Sequence, residues 1–407
     1  MWASRRTALL AGLLTIVAFT GSARALDGPC TTAACKPTVT ITSPTNNSTT
    51  ASSGAVTLTW SASMYPGNQF KNTAYSLDGL AQIFQTRCQN NRCPGTNWTG
   101  SVALQLAPGP HQVVVRFWDA QHGNTTADAS TATVNFTVGT PTSGDLSGQP
   151  IPTGDLTFWN LVTSDDFSTT APVGSFLSTY GSKWTAYNSG DRDTTGQKTP
   201  TNYALGGTYR PETVLSAHDG VLDFNLHNGL YNGVRQTMVA APVPKIPGAP
   251  ADFKSGQTYG RYTVRFRVSS SSIPTGYKTA WLLWPDSDNW NDGEIDFPEG
   301  NLEGYIGAHA HYKGAPTSQT NVSTTTTYTT WHTATIEWSP GRVWFVLDGV
   351  HIGTATASLP TTPMHLVLQS ETNTDTPAIT PANNSAVTIL VDWVGIYSYS
   401  QPASTQY

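Results

Sequence analysis

One pattern runs from Lys36 to Ser400 and narrows the chain to a single fold class. Apolar and polar residues alternate at period two, in short runs closed by Gly, Pro, Asn or Asp. Successive side chains of a strand point to opposite faces, so each run reads as a strand with one face in a core. Between residues 36 and 138 the runs TVTITSP, AVTLTWSAS, TAYSLDG, SVALQLAPG, HQVVVRFWDA and TATVNFTV follow one another at short intervals. Residues 139–155, GTPTSGDLSGQPIPTGD, carry no apolar period and read as a linker. From 156 to 400 the pattern resumes in YGRYTVRFRVSS, YIGAHAHY, WHTATIEW, RVWFVLDGVHIGTA, MHLVLQSE and AVTILVDWVGIYSYS. WSPGR and LDGV supply Pro-Gly and Asp-Gly hairpin turns. No helical period lasts beyond a turn or two. The fold class is therefore all-β. The second block is too long for one small sandwich and suits a two-sheet jelly roll.

The bulk numbers agree. Charged residues make up 12% of 407, with 36 Gly and 27 Pro, a composition of strands and turns. A net charge of -5 without a long basic run argues against nucleic acid as a partner. Residues 1–25 read as an export signal: Arg5 and Arg6, the short apolar run TALLAGLLTIVAF, and the A-x-A site Ala23-Arg24-Ala25. That run is too short to span a bilayer, so a secreted, soluble monomer with no membrane association is expected once the signal is removed. The n-region fits an ordinary secretory signal and also, loosely, a twin-arginine one. Cys30, Cys35, Cys88 and Cys93 form two C-x4-C pairs and read as disulfides; of the three possible connectivities the local one, Cys30–Cys35 and Cys88–Cys93, is expected, with a zinc site as the rival. About seven short strands in roughly 100 residues suit an immunoglobulin-like β-sandwich at 36–138. PTVTITSP, Trp60 in LTWSAS and HQVVVRFWDAQHGN resemble the immunoglobulin-like modules attached to secreted bacterial enzymes. Trp60 and Trp118 are expected in its core.

The densest acid in the chain is WNDGEIDFPEG, residues 290–300. A calcium loop numbered from Asp288 would place Trp290, which has no oxygen ligand, at its third position and Pro298 at its eleventh, between strands rather than helices. As a strand the stretch makes more sense. Glu294 and Asp296 share one face, with Ile295 and Phe297 on the other. Strict alternation would then bring Pro298 to the acid face. One extra residue at Phe297-Pro298, a β-bulge, returns Glu299 to that face, and Pro is tolerated at bulges. Asp292 becomes a turn residue before Gly293. Three acids on one face resist ionising together, so at least one pKa rises. A retaining glycosidase needs that: one carboxylate as nucleophile and one protonated acid. The outer Cα atoms lie about 13 Å apart along such a strand. Side chains leaning inward can close this to the about 5–5.5 Å of a retaining pair.

EIDFPE is similar to the E-[IL]-D-x-x-E signature of glycoside hydrolase family 16. TSDDFS, YGRYTVRFRV with YKTAWLLWP, WHTATIEWSPGRVWFVLDGVHIG and AVTILVDWVGIY resemble further segments of that family in order, over about residues 156–398. The resemblance implies a concanavalin-like jelly roll over 156–400 acting with retention. It makes Glu294 the nucleophile, Asp296 its helper and Glu299 the acid/base. Pro298, where many members carry Met or another apolar residue, and MHLVLQSET depart from the usual pattern.

Around the acids, Trp290, Trp281 and Trp284 are candidate sugar platforms, since aromatic rings stack on sugar C–H faces as readily as they fill cores. His309 and His311 share one strand face. By resemblance His311 lies beside the acid/base, and a His-x-His metal pair is the rival reading. Trp331, His332 and Gln369 complete the substrate-binding candidates, with Glu371 next to Gln369. By resemblance Asp392 matches a position that binds structural calcium in some members, with a plain strand-end Asp as the rival; no cofactor is required for the chemistry. The expected partner is a polysaccharide. Few cations flank the motif, which favours a neutral one such as β-1,3-glucan. The expected activity is endo-hydrolysis of β-linkages, with transglycosylation on the same site or a non-catalytic lectin as alternatives.

Overall fold

The computed structural model describes residues 29–87, 95–198, 200–248, 256–270, 272–374 and 378–404. Residues 1–25, read above as an export signal, and Cys88 and Cys93 lie outside them. Cys30 and Cys35 form a disulfide, as their spacing implied. Among the described residues no helix is long and apolar enough to cross a membrane.

Residues 38–138 build two sheets. Thr38–Ser43, Ala55–Ser63 and Asn97–Gln105 form one; the other runs in the order Thr49–Thr50, Ser130–Val138, Gly109–Asp119, Phe70–Leu77 and Ile83–Arg87. Leu58 and Trp60 from the first meet Tyr75, Val113, Val115 and Phe136 from the second in one core. Trp60 is buried because Gly100 stands opposite it: a Cβ on Gly100 would lie 2.0 Å from the Trp60 ring. Trp118 is buried too, its indole N–H donating to Thr125 O.

The second block is a jelly roll of two facing sheets. In the larger, ten-stranded sheet, the strand Ala386–Tyr399 lies between Val221–Tyr231 and Gly260–Val268, and Trp159–Asp165 also pairs with it. The smaller sheet has five strands, in the order Ala315–Ser323, Gly307–Tyr312, Glu294–Asn301, Tyr277–Pro285 and Met364–Thr372. Alternation places Tyr262, Val264, Phe266 and Val268 of the larger sheet against Trp281, Leu283 and Ile295 of the smaller. Both hairpin turns form. Asp348 and Gly349 take the positive φ values, 52° and 79°, that a tight two-residue turn needs.

The segment 139–155, read as a linker, is not left loose. It has no strand, yet it is pinned to the outer face of the larger sheet. Ser147 donates to Asp392, Arg265 Nη2 donates to Ser147 O at 2.7 Å, and Trp393 Nε1 donates to Gln149 O at 3.2 Å. Phe158, Trp159 and Tyr397 join the core of the N-terminal sheets, which thus sit on the face opposite the smaller sheet's acids.

Candidate active site

Glu294–Asn301 is the middle strand of the smaller sheet. Its register contains the extra residue that alternation demands. Asp296 opposes His309 and Glu299 opposes Gly307 on one side. On the other side Asp296 opposes Leu282 and Glu299 opposes Ala280. Three steps on this strand therefore match two on each neighbour, with Phe297 and Pro298 in the interval. Ile295 and Phe297 are buried in the core, Phe297 edge-on to Phe345 at 5.7 Å. Glu294, Asp296 and Glu299 remain on the outer face. The turn before the strand needs Gly293: its φ is +92°, and a Cβ there would lie 2.9 Å from Pro360 and 3.0 Å from His311 O. Asp292 lies in that turn and accepts from the Ser287 hydroxyl at 2.6 Å.

Glu294 accepts a hydrogen bond from Trp290 Nε1 at 2.6 Å and lies opposite His311. Burial raises its pKa, and the charge of Glu299 adds to that; His311 and the bonds from Asp296 and Trp290 oppose. Asp296 is 1% exposed. Burial, then the charges of Glu294 and Glu299, hold its pKa well above the usual carboxylate range, and Lys278 only partly offsets this. Burial and the flanking charges thus favour a proton on Asp296, whose side chain is hydrogen-bonded to Glu294. His311 Nδ1 donates to Pro316 O at 2.6 Å, which turns Nε2 towards Asp296 Oδ2 at 3.5 Å.

Glu299 has side-chain nitrogens on both sides. Lys278 Nζ lies 2.7 Å from its Oε1, and His309 Nε2 lies 3.4 Å from its Oε2. Lys278 also lies 3.7 Å from Glu371 Oε1 and donates to Thr374 Oγ1 at 3.2 Å. Burial lowers the lysine pKa, but Glu299 and Glu371 more than reverse this and raise it above its usual value. Burial pushes the Glu371 carboxyl up to about 7; Lys278 opposes, while Asp193 and Glu299 add to the rise.

The structure brings together most of the residues the sequence singled out. Trp290 is 39% exposed and tilted against the His311 ring at 5.6 Å. Trp284 shares the acid face through its even spacing from Lys278, and its Nε1 donates to Asp288 at 3.3 Å. Gln369 lies opposite Ala280 and donates to Glu371 at 3.2 Å.

Four candidates lie elsewhere. Trp281 is 0% exposed and packs on Phe266 at 5.1 Å, because it is the odd member of a strand whose even members face the acids. Trp331 sits by the larger sheet, over the guanidinium groups of Arg267 at 5.1 Å and Arg265 at 5.9 Å. His332 is held between Asp348 Oδ2 at 2.7 Å and Thr330 Oγ1 at 2.8 Å, also on that sheet. Asp392 is there too. It accepts from the Ser147 hydroxyl, and the charges of Asp145, Arg265 and Asp166 act on it.

The sparse-cation reading missed Lys278. The signal was present, since Lys278 stands six before Trp284 and so on the same face. Glu371 and His309 also gain partners that the sequence did not assign. Among the described residues, donor atoms of Glu294, Asp296 and His311 lie within 4.8 Å of one another. Glu294 already accepts from Trp290, and burial raises the pKa of Asp296. His309 turns to Asn321, at 2.6 Å, and Glu299 rather than pairing with His311 on one ion.

Residues 222–395 match the family model described as Glycosyl hydrolases family 16. Among solved structures, the chain is similar to LamA from Z. galactanivorans in complex with laminaritriose and laminaritetraose, at 18% identity over 58% of this chain and 98% of that one, TM-score 0.44. It is similar to the laminarinase from Rhodothermus marinus, at 21% identity over 60% and 98%, TM-score 0.43. It is also similar to the catalytic domain of an endo-1,3-beta-glucanase (laminarinase) from Thermotoga petrophila, at 16% identity over 60% and 100%, TM-score 0.44. No curated protein sequence matches the chain.

Proposed function

We propose, on the premise that residues 222–395 are a family 16 glycosyl hydrolase domain, that the protein cleaves internal β-linkages of a polysaccharide with retention of configuration. The supporting observation is the bulged strand, which sets Glu294, Asp296 and Glu299 on one face, with burial raising the Asp296 pKa beside Glu294. Glu294 attacks the anomeric carbon while Glu299 protonates the leaving oxygen; Glu299 then takes a proton from water as it releases the glycosyl-enzyme. Asp296 and Trp290 hold the Glu294 carboxylate in position by hydrogen bonds. An acceptor sugar in place of water would make the same site a transglycosylase.

Lys278 is committed to two carboxylates and offers little to an anionic glycan, which supports a neutral polymer such as β-1,3-glucan. Trp290 and Trp284 would lie along the sugar chain. Residues 36–138 are proposed as an immunoglobulin-like module. The Cys30–Cys35 disulfide supports export to an oxidising compartment.

The test is a panel of neutral and anionic β-glucans and galactans, assayed for new reducing ends, with NMR of the first anomer released. Retention and loss of turnover in Glu294→Gln are expected. A wild-type protein that binds a glycan yet releases no ends from any of them would make this a lectin.

A further inference from the structure

Glu371 is a buried carboxyl that the catalytic steps above do not use. It lies directly opposite Lys278 on the neighbouring strand. Its Oε2 accepts from Gln369 Nε2 at 3.2 Å and from the Thr194 backbone N–H at 3.4 Å, which leaves Oε1 aimed at the lysine. One ammonium is thus shared by Glu299 and Glu371, at 2.7 and 3.7 Å. Glu294 and Tyr328 also lie within reach of the Glu299 charge. Asp296 lies on the Glu299 strand, and His309 faces Glu299 from the next strand. Asp193 interacts with Glu371, and Tyr209 with both. Asp193 is held by Gly196 N at 2.7 Å, Thr372 N at 2.8 Å and Thr372 Oγ1 at 2.7 Å.

An ammonium in contact with the acid/base poses a chemical problem. It stabilises the carboxylate form of Glu299, which suits deglycosylation, and opposes the protonated form, which the first step requires. We propose that Lys278 and Glu371 are positioning residues that set the proton on Glu299, with ionised Glu371 drawing the ammonium away so that Glu299 keeps the proton it will donate. This rests on the hydrolase reading above. In the first step the Glu299 O–H bond breaks and its proton passes to the leaving oxygen. The glycosidic C–O bond breaks as the Glu294 carboxylate forms the ester, and the ammonium turns to the new Glu299 carboxylate. In the second step Glu299 takes a proton from water, whose oxygen bonds to the anomeric carbon as the ester bond to Glu294 breaks, and the ammonium returns to Glu371. Lys278 remains an ammonium throughout. The Glu371 carboxyl, pushed up to about 7 by burial, is ionised in a growing fraction as pH rises through neutrality, and the competition is present there.

The experiment compares wild type, Glu371→Gln and the double variant Lys278→Met with Glu371→Gln, all checked for folding by melting. Two substrates are used: the polysaccharide, whose leaving oxygen needs a proton, and a dinitrophenyl β-glycoside of the released disaccharide, whose leaving group does not. For Glu371→Gln, kcat/KM on the polysaccharide should fall about 10-fold or more, while the aryl glycoside changes by less than about twofold. Its pH profile should lose the inflection near neutrality. The double variant, with no stranded ammonium, should recover polysaccharide cleavage above that of Glu371→Gln alone. Equal losses on both substrates, or a double variant no better than the single, would overturn the inference and leave the hydrolase reading intact. Failure of the wild type on both substrates would overturn the two together.

Discussion

Replacing Asp296 with Asn separates the two consequences of its burial. The side chain is 1% exposed and its pKa is held well above the ordinary 3.8, first by burial and then by Glu294 and Glu299. The native protein therefore keeps a proton there that the unfolded chain releases once pH passes that ordinary value. Above it the native state binds one proton more than the unfolded state. Stability then falls as pH rises, by about 1.4 kcal/mol per pH unit, until the folded carboxyl itself ionises. Asn is nearly isosteric and carries no titratable proton, so the variant escapes this loss. Its advantage over wild type should widen by about 1.4 kcal/mol between pH 5 and pH 6, or roughly 3–6 °C in melting temperature for a domain of this size. Glu294 is present in both proteins and leaves the comparison standing. Activity should move the other way. An amide N–H is a weaker donor to the Glu294 carboxylate than a carboxyl O–H, and the nucleophile loses about 1–2 kcal/mol of alignment, about 10-fold in kcat. The assay is urea or thermal unfolding of both proteins across that pH range, alongside kcat. A stability gap that stays constant with pH would mean Asp296 is ionised in the native state, and the shared-proton account of the site would be wrong.

Two further substitutions test the placements around the site. Trp290→Phe removes the 2.6 Å bond to Glu294, a bond that lowers the Glu294 pKa. The acidic limb of kcat/KM should move to higher pH, and kcat should fall about 10- to 100-fold, the worth of a bond to a charged group; an unmoved limb would refute the contact. Trp331→Ala should leave KM for polysaccharide unchanged, since that ring lies over Arg267 by the larger sheet, whereas Trp281→Ala should lower stability by about 3–5 kcal/mol in denaturant melts as a core cavity.

The bulge was legible because its evidence is local. Ile295 and Phe297 fix one face, Glu294 and Asp296 the other, and Pro298 marks where a residue can drop out of the ladder. The placement of Trp281 was just as accessible: counting in twos from Lys278 to Trp284 puts the lysine with the acids and Trp281 in the core. Trp331 and His332 could not be placed this way. Their hairpin shows that a strand begins, and nothing in its alternation says which of two sheets the strand joins. The same holds for residues 139–155, whose composition reads as a loose connection while Ser147 and Gln149 are tied to Asp392 and Trp393, residues far along the chain.

The sequence by itself determined the all-β class, the turns and the face on which three acids stand, because strand alternation is set one residue at a time by backbone geometry. Only the tertiary structure decided that Glu371 lies opposite Lys278 and that their shared ammonium touches Glu299. Cross-strand register is fixed when whole faces are buried together, so the partner of a side chain depends on residues distant in sequence, and with it the place of the proton on which the proposed chemistry depends.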